Sequence, residues 1–325
     1  MLAEQDLQRI GQALAGRVPP VELHLHGASD GSELGAALKV VAEAVIAAAD
    51  RGAVLREGET SSLPASPALT LSGPDRGEIH YLALPEGREA GPFVEALAAE
   101  HRADLDAGLV ARLRALEAPV ELLVFIATQC PHCPQAVKAA NELALASKRI
   151  SVFVIDAERF TDLAAELKVR SVPLTVIDGG LALSGVEPAR ELAEVVLSRG
   201  SPDYHRRHLL SLLETQRFEE ALALVRNPGG PEAFLTAWQG STTNSRVGLL
   251  LAAEQLLERA PGALSAIVGG LCDMLGSDDA ALRGDTVDLL GRIGSAEAAP
   301  ALRKLLDDPN PDVAEIAAEV LQELA

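Results

Sequence analysis

The segment Cys130-Pro131-His132-Cys133 decides the fold of this chain, because a buried strand leads into it and a helical pattern follows it. The preceding residues, Leu122–Ile126, are all apolar, which is typical of a strand that is buried on both faces of a sheet. Pro131 suits the first position of a helix, because its missing N–H would have no partner there. We therefore predict that Cys130 caps a helix and that Cys133 lies in its first turn.

Two cysteines at the start of a helix favour thiol–disulfide exchange. Free backbone N–H groups and the positive end of the helix dipole stabilise a thiolate there, and the spacing allows a disulfide between Cys130 and Cys133. Two other interpretations remain open, half of a zinc site and a structural disulfide or pair of core thiols. A zinc site needs four ligands and the sequence has no second cysteine pair. A turn after a central strand is usually exposed, so we favour a redox pair.

Composition and charge limit the possible functions. The 325 residues predict two or three domains, and 48% of them are apolar while only 3% are aromatic, so Ala, Leu and Val must build the cores. The net charge of -19 argues against a nucleic-acid partner and against binding to anionic membranes. Three cysteines are too few for a disulfide scaffold.

The N-terminal residues indicate no targeting segment. Residues 1–16 contain Glu4, Asp6 and Arg9 and predict a short amphipathic helix rather than a signal peptide. No apolar stretch is long enough to span a membrane. We therefore expect a cytoplasmic protein, and in that compartment a CxxC pair is more often catalytic than structural.

The order of predicted strands and helices divides the chain. Residues 1–102 predict a first α/β unit, which has no cysteine, and residues 103–118 predict a connecting helix. Residues 119–200 repeat the order as strand–helix–strand followed by helix–strand–strand–helix. Pro173 belongs at the first residue of its strand, because proline cannot donate to a sheet ladder.

The CPHC motif followed by Val172-Pro173 resembles the thioredoxin superfamily. Two such units in tandem, covering residues 20–200, are similar to the N-terminal domain of the flavoprotein subunit of alkyl hydroperoxide reductase and to two-fold protein disulfide oxidoreductases. The segment from Leu84 to Leu97 is similar to the end of the first unit in those proteins. The resemblance therefore implies two tandem thioredoxin-like folds, with the active site in residues 119–200 and a degenerate first unit.

The resemblance also assigns roles to individual residues. Cys130 matches the attacking thiol and Cys133 the resolving thiol, while Pro173 matches a cis-proline that faces the disulfide. Glu89 matches a glutamate near the disulfide, which would accept a proton because Val124 stands where single thioredoxin folds carry a buried aspartate. An alternative for Glu89 is a solvated carboxylate at the start of a helix.

The dipeptide Pro131-His132 between the cysteines differs from the Gly-Pro of thioredoxins. A histidine beside two thiols supplies a hydrogen-bond donor and, when protonated, a positive charge, both of which stabilise a thiolate. We therefore expect a more oxidising disulfide than that of thioredoxin, unless His132 is only a solvated turn residue.

Residues 201–325 show a helical pattern with breaks rich in Gly, Pro, Asp and Asn. The segments that begin at Leu275 and Leu306 are similar to each other, about thirty residues apart, which is typical of HEAT or armadillo-like repeats. Such repeats bind partners rather than catalyse reactions, so we expect a docking module or an oligomerisation surface.

The sequence therefore predicts an α/β plus all-α protein that exchanges the Cys130–Cys133 dithiol or disulfide with thiols of a client protein. We expect no bound cofactor besides this disulfide, and an electron source in another molecule. Alternatives are a redox-regulated interaction scaffold, and an electron relay between an external flavoprotein reductase and a peroxiredoxin. The direction of electron flow, the client and the oligomeric state do not follow from the sequence.

Overall fold

The computed structural model describes residues 2–27, 31–61, 63–99 and 105–324. The chain divides into two compact units, Met1–Ser198 and Arg199–Ala325. The predicted boundary at residue 102 lies outside the described residues. Among the residues described, no helix is long and apolar enough to cross a membrane.

The first unit is built on one eight-stranded sheet with the order β2-β1-β3-β4-β6-β5-β7-β8. The strands are β1 (Val21–His26), β2 (Ala53–Gly58), β3 (Ala68–Ser72), β4 (Ile79–Leu82), β5 (Val120–Ile126), β6 (Ile150–Asp156), β7 (Leu174–Ile177) and β8 (Leu181–Ser184).

Each half of this sheet repeats the same arrangement. A parallel pair, β1 with β2 or β5 with β6, is followed by two antiparallel strands. The two halves join through parallel pairing of β4 with β6, in which Ile79 faces Val152. The predicted tandem α/β architecture is confirmed, and the halves share a continuous sheet.

Helices cover this sheet and connect its strands. They are α1 (Glu4–Leu14), α2 (Glu33–Ala48), α3 (Ala90–Ala98), α4 (Ala107–Arg114), α5 (Cys133–Ala146), α6 (Thr161–Glu166) and α7 (Ala189–Leu197), with a 3-10 turn at Gly87–Glu89. Helix α4 lies within the connecting segment predicted at residues 103–118, of which residues 103 and 104 lie outside the described part.

Helix α5 is the central helix of the second half. Its side chains Val137, Ala140 and Leu143 are fully buried, because β5 and β6 offer apolar surface to it. Its C-terminal end is fixed by Gly77, whose N–H donates to the carbonyl oxygen of Ala144 at 2.7 Å. A Cβ atom at residue 77 would collide with the backbone carbonyl of Ile150, so the close approach of these segments requires glycine.

Every regular element of the second unit, as far as residue 324, is a helix, as the sequence predicts. Its helices are α8 (Pro202–Glu214), α9 (Phe218–Arg226), α10 (Gly230–Gln239), α11 (Thr243–Arg259), α12 (Val268–Met274), α13 (Ala280–Ile293), α14 (Ala299–Leu302) and α15 (Pro311–Glu323), with 3-10 turns at Ser265–Ile267, Ala296–Ala298 and Arg303–Asp307. Helices α11, α13 and α15 pack side by side.

Two kinds of contact hold the repeats of this unit in register. Trp238 is fully buried, and its indole N–H donates to Thr286 Oγ1 at 3.0 Å. Arg283 at the start of α13 forms an ion pair with Asp308 at 2.7 Å, in the turn before α15. Arg246 on α11 is paired in the same way with Asp285 on α13 at 2.6 Å. Each arginine therefore connects one helix pair to the next.

Candidate functional site

The turn between β5 and α5 carries the two cysteines, but α5 begins later than the sequence indicates. The helix begins at Cys133, with His132 as its N-cap, and Pro134 occupies its second position. The predictions that Cys130 caps the helix and that Pro131 is its first residue are therefore wrong, whereas Cys133 does lie in the first turn. Both prolines fit a first helical turn, where the N–H has no partner, and the structure uses Pro134.

Cys130 and Cys133 form a disulfide, with their Cα atoms 5.5 Å apart. Cys133 is 0% exposed whereas Cys130 is half-buried, and Pro131 and His132 between them are exposed. The backbone N–H of Cys133 donates to Cys130 Sγ at 3.0 Å. This donor at the start of α5 would also stabilise a thiolate on Cys130. The two cysteines therefore differ in solvent access, because Cys130 is partly open to solvent and Cys133 is not.

Pro173 lies at the same edge of the sheet as the disulfide. Strand β7 pairs with β5 so that Leu174 faces Phe125, which places Pro173 beside the end of β5. The Val172–Pro173 peptide bond is cis, as the resemblance implies. The carbonyl oxygen of Pro173 accepts a hydrogen bond from Gly185 N–H at 2.9 Å, so the proline joins β7 to the end of β8.

Glu89 is a buried carboxyl on the 3-10 turn Gly87–Glu89, which packs against α5. Its side chain is 5% exposed, and Oε2 has no hydrogen-bond partner among the described residues. Burial raises the pKa of Glu89 from its ordinary 4.5 to about 7, because the charged form is poorly solvated there. The alternative of a solvated carboxylate is therefore wrong, and the group can gain or lose a proton near neutral pH.

Two further polar residues, Asn141 and Tyr81, are buried and were not predicted from the sequence. Asn141 on α5 donates through Nδ2 to the hydroxyl oxygen of Tyr81 on β4 at 3.1 Å. Burial raises the pKa of Tyr81, and the negative charge of Glu89 contributes to that increase. An asparagine at a buried position of an apolar helix was the available signal in the sequence.

Two buried histidines of the first half, His26 on β1 and His80 on β4, belong to one hydrogen-bonded network. His26 Nδ1–H donates to the carbonyl oxygen of Glu59 at 2.7 Å, and its Nε2 accepts from Thr70 Oγ1 at 2.8 Å. Thr70 in turn accepts from His80 Nδ1–H at 2.7 Å. Burial lowers the pKa of His26, and it lowers that of His80 to about 3, so burial favours the neutral form of both rings. Both ring nitrogens of His26 are used, which makes this a structural network.

Potential metal ligands do not converge in the part of the chain that the structure describes. No group of three or more His, Cys, Asp and Glu side chains there is arranged to hold a metal ion.

The position of His132 leads to a prediction about redox potential. His132 is exposed at the N-cap of α5, two residues from Cys130, and the prediction is that its ring stabilises the Cys130 thiolate. We expect a potential less negative than the value of about -270 mV for thioredoxin. Equilibration with glutathione buffers measures it, and His132→Ala should make it more negative by on the order of 30 mV. A wild-type value at or below that of thioredoxin would reject the role of His132.

Comparison with known proteins identifies two regions of the chain. A thioredoxin domain model matches residues 120–198, and a HEAT repeat model matches residues 268–325. The alkyl hydroperoxide reductase F subunit of Pseudomonas aeruginosa is 27% identical over 148 residues, which are 44% of this chain and 28% of that protein. Its counterpart of the same name in Pseudomonas putida is 25% identical over 116 residues, 35% of this chain and 22% of that protein. The chain therefore spans less than a third of the length of these curated relatives.

Solved structures with a similar α/β region were also found. The NTD_N/C domain of the alkylhydroperoxide reductase AhpF of Enterococcus faecalis is 23% identical with a TM-score of 0.48, covering 60% of this chain and 99% of that one. A protein disulfide oxidoreductase from Aeropyrum pernix k1 is 22% identical with a TM-score of 0.49, covering 61% of this chain and 93% of that one. On the two family models alone, this chain combines a thioredoxin domain at residues 120–198 with HEAT repeats at residues 268–325.

Proposed function

We propose that this protein is a thiol–disulfide oxidoreductase that exchanges the Cys130–Cys133 pair with cysteines of a client protein. The observation that carries the proposal is the unequal access of the two sulfurs, since Cys130 is half-buried and Cys133 is 0% exposed. A client can reach Cys130, while Cys133 is held beside it at the start of α5 and can attack only its neighbour. The redox centre is then the disulfide itself, with no further cofactor.

The exchange occurs in two displacement steps. The Cys130 thiolate attacks a client disulfide, which forms a Cys130–client bond and releases one client thiolate. The Cys133 thiolate then attacks Cys130 Sγ, which forms the Cys130–Cys133 disulfide and releases the second client thiolate. Two electrons pass from the protein to the client, and the reverse sequence oxidises a client dithiol. Pro173, at the same edge of the sheet, would border the groove in which the client chain lies.

Glu89 is proposed to accept the proton that Cys133 loses before the second step. Its 3-10 turn packs against α5, the helix that Cys133 begins, and its pKa is raised by burial to about 7. A base is most effective when its pKa lies near the working pH. The glutamate would act only on the resolving step, because the half-buried Cys130 is partly open to water, which is an alternative acceptor.

The partners follow from the same proposal. The similarity to the alkyl hydroperoxide reductase F subunit favours an external reductase or a peroxiredoxin as a redox partner. The HEAT repeats are proposed as a docking module for the client. We propose a cytoplasmic location. We propose neither nucleic acid nor a membrane as a partner, because the net charge of -19 disfavours binding to anionic surfaces.

A trapping experiment with Cys133→Ser tests this function. Without the resolving thiol, the mixed disulfide between Cys130 and the client should accumulate and resist dissociation in denaturant until a reductant is added. The trapped protein is identified after reduction, and the double variant Cys130→Ser/Cys133→Ser is the control. Partners that bind equally to this double variant would favour the interaction scaffold. A trapped peroxiredoxin would favour the electron relay.

A further inference from the structure

Helices α11, α13 and α15 of the second unit pack side by side, and part of their surface is open to solvent. On α11 the exposed positions Val247, Leu251 and Glu254 recur at helical spacing, so they form one stripe. Arg292 of α13 reaches Glu254 at 3.1 Å, which continues this stripe onto the neighbouring helix. We call the surface formed by Val247, Leu251, Glu254, Asp288, Ile316 and Glu319 the three-helix face.

A groove between α13 and α15 belongs to the same face. It has a volume of about 550 Å³, and its lining includes Asp288, Ile316 and Glu319. The wall is made partly of small residues such as Ala281 and Gly284, which leave room for side chains of another molecule. The groove therefore offers space for a side chain beside acidic groups.

Two neighbouring apolar residues on α11 are exposed on this face. Val247 is 57% exposed and Leu251 is 49% exposed, one helical turn apart. No described helix of the unit covers these two side chains. Arg246, the residue before Val247, is by contrast buried and paired with Asp285. Neighbouring exposed apolar side chains with a polar surround are typical of surfaces that bind other proteins.

The charge of the face determines the kind of partner. Glu254, Asp288 and Glu319 are negative, and Arg292 is balanced by Glu254 and Asp288, each at 3.1 Å. The face therefore keeps a negative charge around its apolar stripe. A partner segment with lysine or arginine near apolar side chains would complement both features.

We propose that the three-helix face binds a cationic, apolar segment of the client protein. This inference rests on the proposed function, in which the repeats hold the client whose thiols are exchanged. Val247 and Leu251 would contact the apolar side chains of the segment. The acidic side chains of α13 and α15 would contact its lysine or arginine groups, and the groove would hold one of its side chains.

Binding of a labelled peptide to the full-length protein tests this proposal separately from catalysis. The probe is a fluorescein-labelled peptide of leucine and lysine, about 14 residues long, with leucine at helical spacing. A second peptide carries glutamate in place of lysine. Fluorescence anisotropy should show saturable binding of the cationic peptide, weaker binding at high ionic strength, and no binding of the acidic peptide.

Matched variants localise the binding site. Leu251→Ser and Glu319→Gln should each weaken binding about fivefold to tenfold, since both side chains belong to the proposed contact. Leu306→Ser should leave it unchanged, because Leu306 is similarly exposed, at 46%, but lies on the 3-10 turn Arg303–Asp307 outside the face. Cys130→Ser should also leave it unchanged, so a failure of catalysis and a failure of docking are distinguishable.

Three results would overturn the proposal. Equal binding of the cationic and acidic peptides would exclude charge complementarity. Unchanged affinity of Leu251→Ser and Glu319→Gln, with unaltered circular dichroism, would place the peptide elsewhere. A dimer in sedimentation experiments that Leu251→Ser dissociates would show that a second copy of this chain covers the face.

Discussion

Cys130→Ser is expected to abolish disulfide exchange, and Cys272→Ser is expected to leave its rate unchanged. A serine hydroxyl is not ionised near neutral pH and cannot form a disulfide, so the first displacement has no nucleophile. Cys130 is the half-buried member of the pair, whereas Cys133 is 0% exposed and cannot replace it toward a large client. Reduction of insulin by the protein in the presence of a reductant measures the rate.

The third cysteine provides the matched control for this experiment. Cys272 is a half-buried thiol on α12, in the other compact unit, and burial together with the nearby Asp273 raises its pKa. Its thiol is therefore a poor nucleophile at neutral pH. Measurable turnover of Cys130→Ser that disappears in Cys130→Ser/Cys133→Ser would show that Cys133 attacks the client. The assigned roles would then be reversed.

The local pattern around the cysteines was sufficient to predict the core of the site. The apolar run before Cys130 became β5, Val120–Ile126, and the spacing of the cysteines brought them into one disulfide. The start of α5 was misplaced because Pro131 and Pro134 satisfy the same local rule. In the folded turn, the Cys133 N–H donates to Cys130 Sγ and the helix begins at Cys133, so Pro134 is the proline in its first turn.

Features that depend on distant segments could not be predicted from local patterns. The parallel pairing of β4 with β6 joins residues more than seventy positions apart, such as Ile79 and Val152, and no local pattern specifies it. Glu89 is buried because its 3-10 turn packs against α5. The sequence alone could therefore not decide whether this carboxyl is buried or solvated. The resemblance to a family predicts this residue, whereas its raised pKa depends on burial in the folded protein.

The buried carboxyl of Glu89 should make stability depend on pH in a defined direction. Its pKa is about 7 in the folded protein against an ordinary 4.5, so the folded state binds more protons between these values. The free energy of unfolding should therefore decrease as the pH rises through this window, by about 3 kcal/mol at most. Glu89→Gln cannot ionise and should lack this decrease. Urea unfolding at about pH 5 and about pH 8 measures the difference between the two proteins.

The same substitution separates a proton acceptor from a merely buried residue. If Glu89 takes the proton of Cys133, Glu89→Gln should slow the resolving step about 100-fold, the lower range for general base catalysis, and should leave the attack by Cys130 unchanged. The rate of the wild-type resolving step should rise with pH around 7 as Glu89 ionises, and the variant should lack this rise. Stopped-flow measurement of mixed-disulfide decay gives this rate directly.

Glu95→Gln is the control for this measurement, because Glu95 lies on the adjoining α3 but is paired with Lys138 at 3.4 Å. Its removal should leave the pH profile of the resolving step unchanged. Glu89→Gln with a wild-type pH profile but an altered unfolding free energy would show that Glu89 influences stability alone. In that case the Cys133 proton must leave by another route, since the sulfur itself is fully buried.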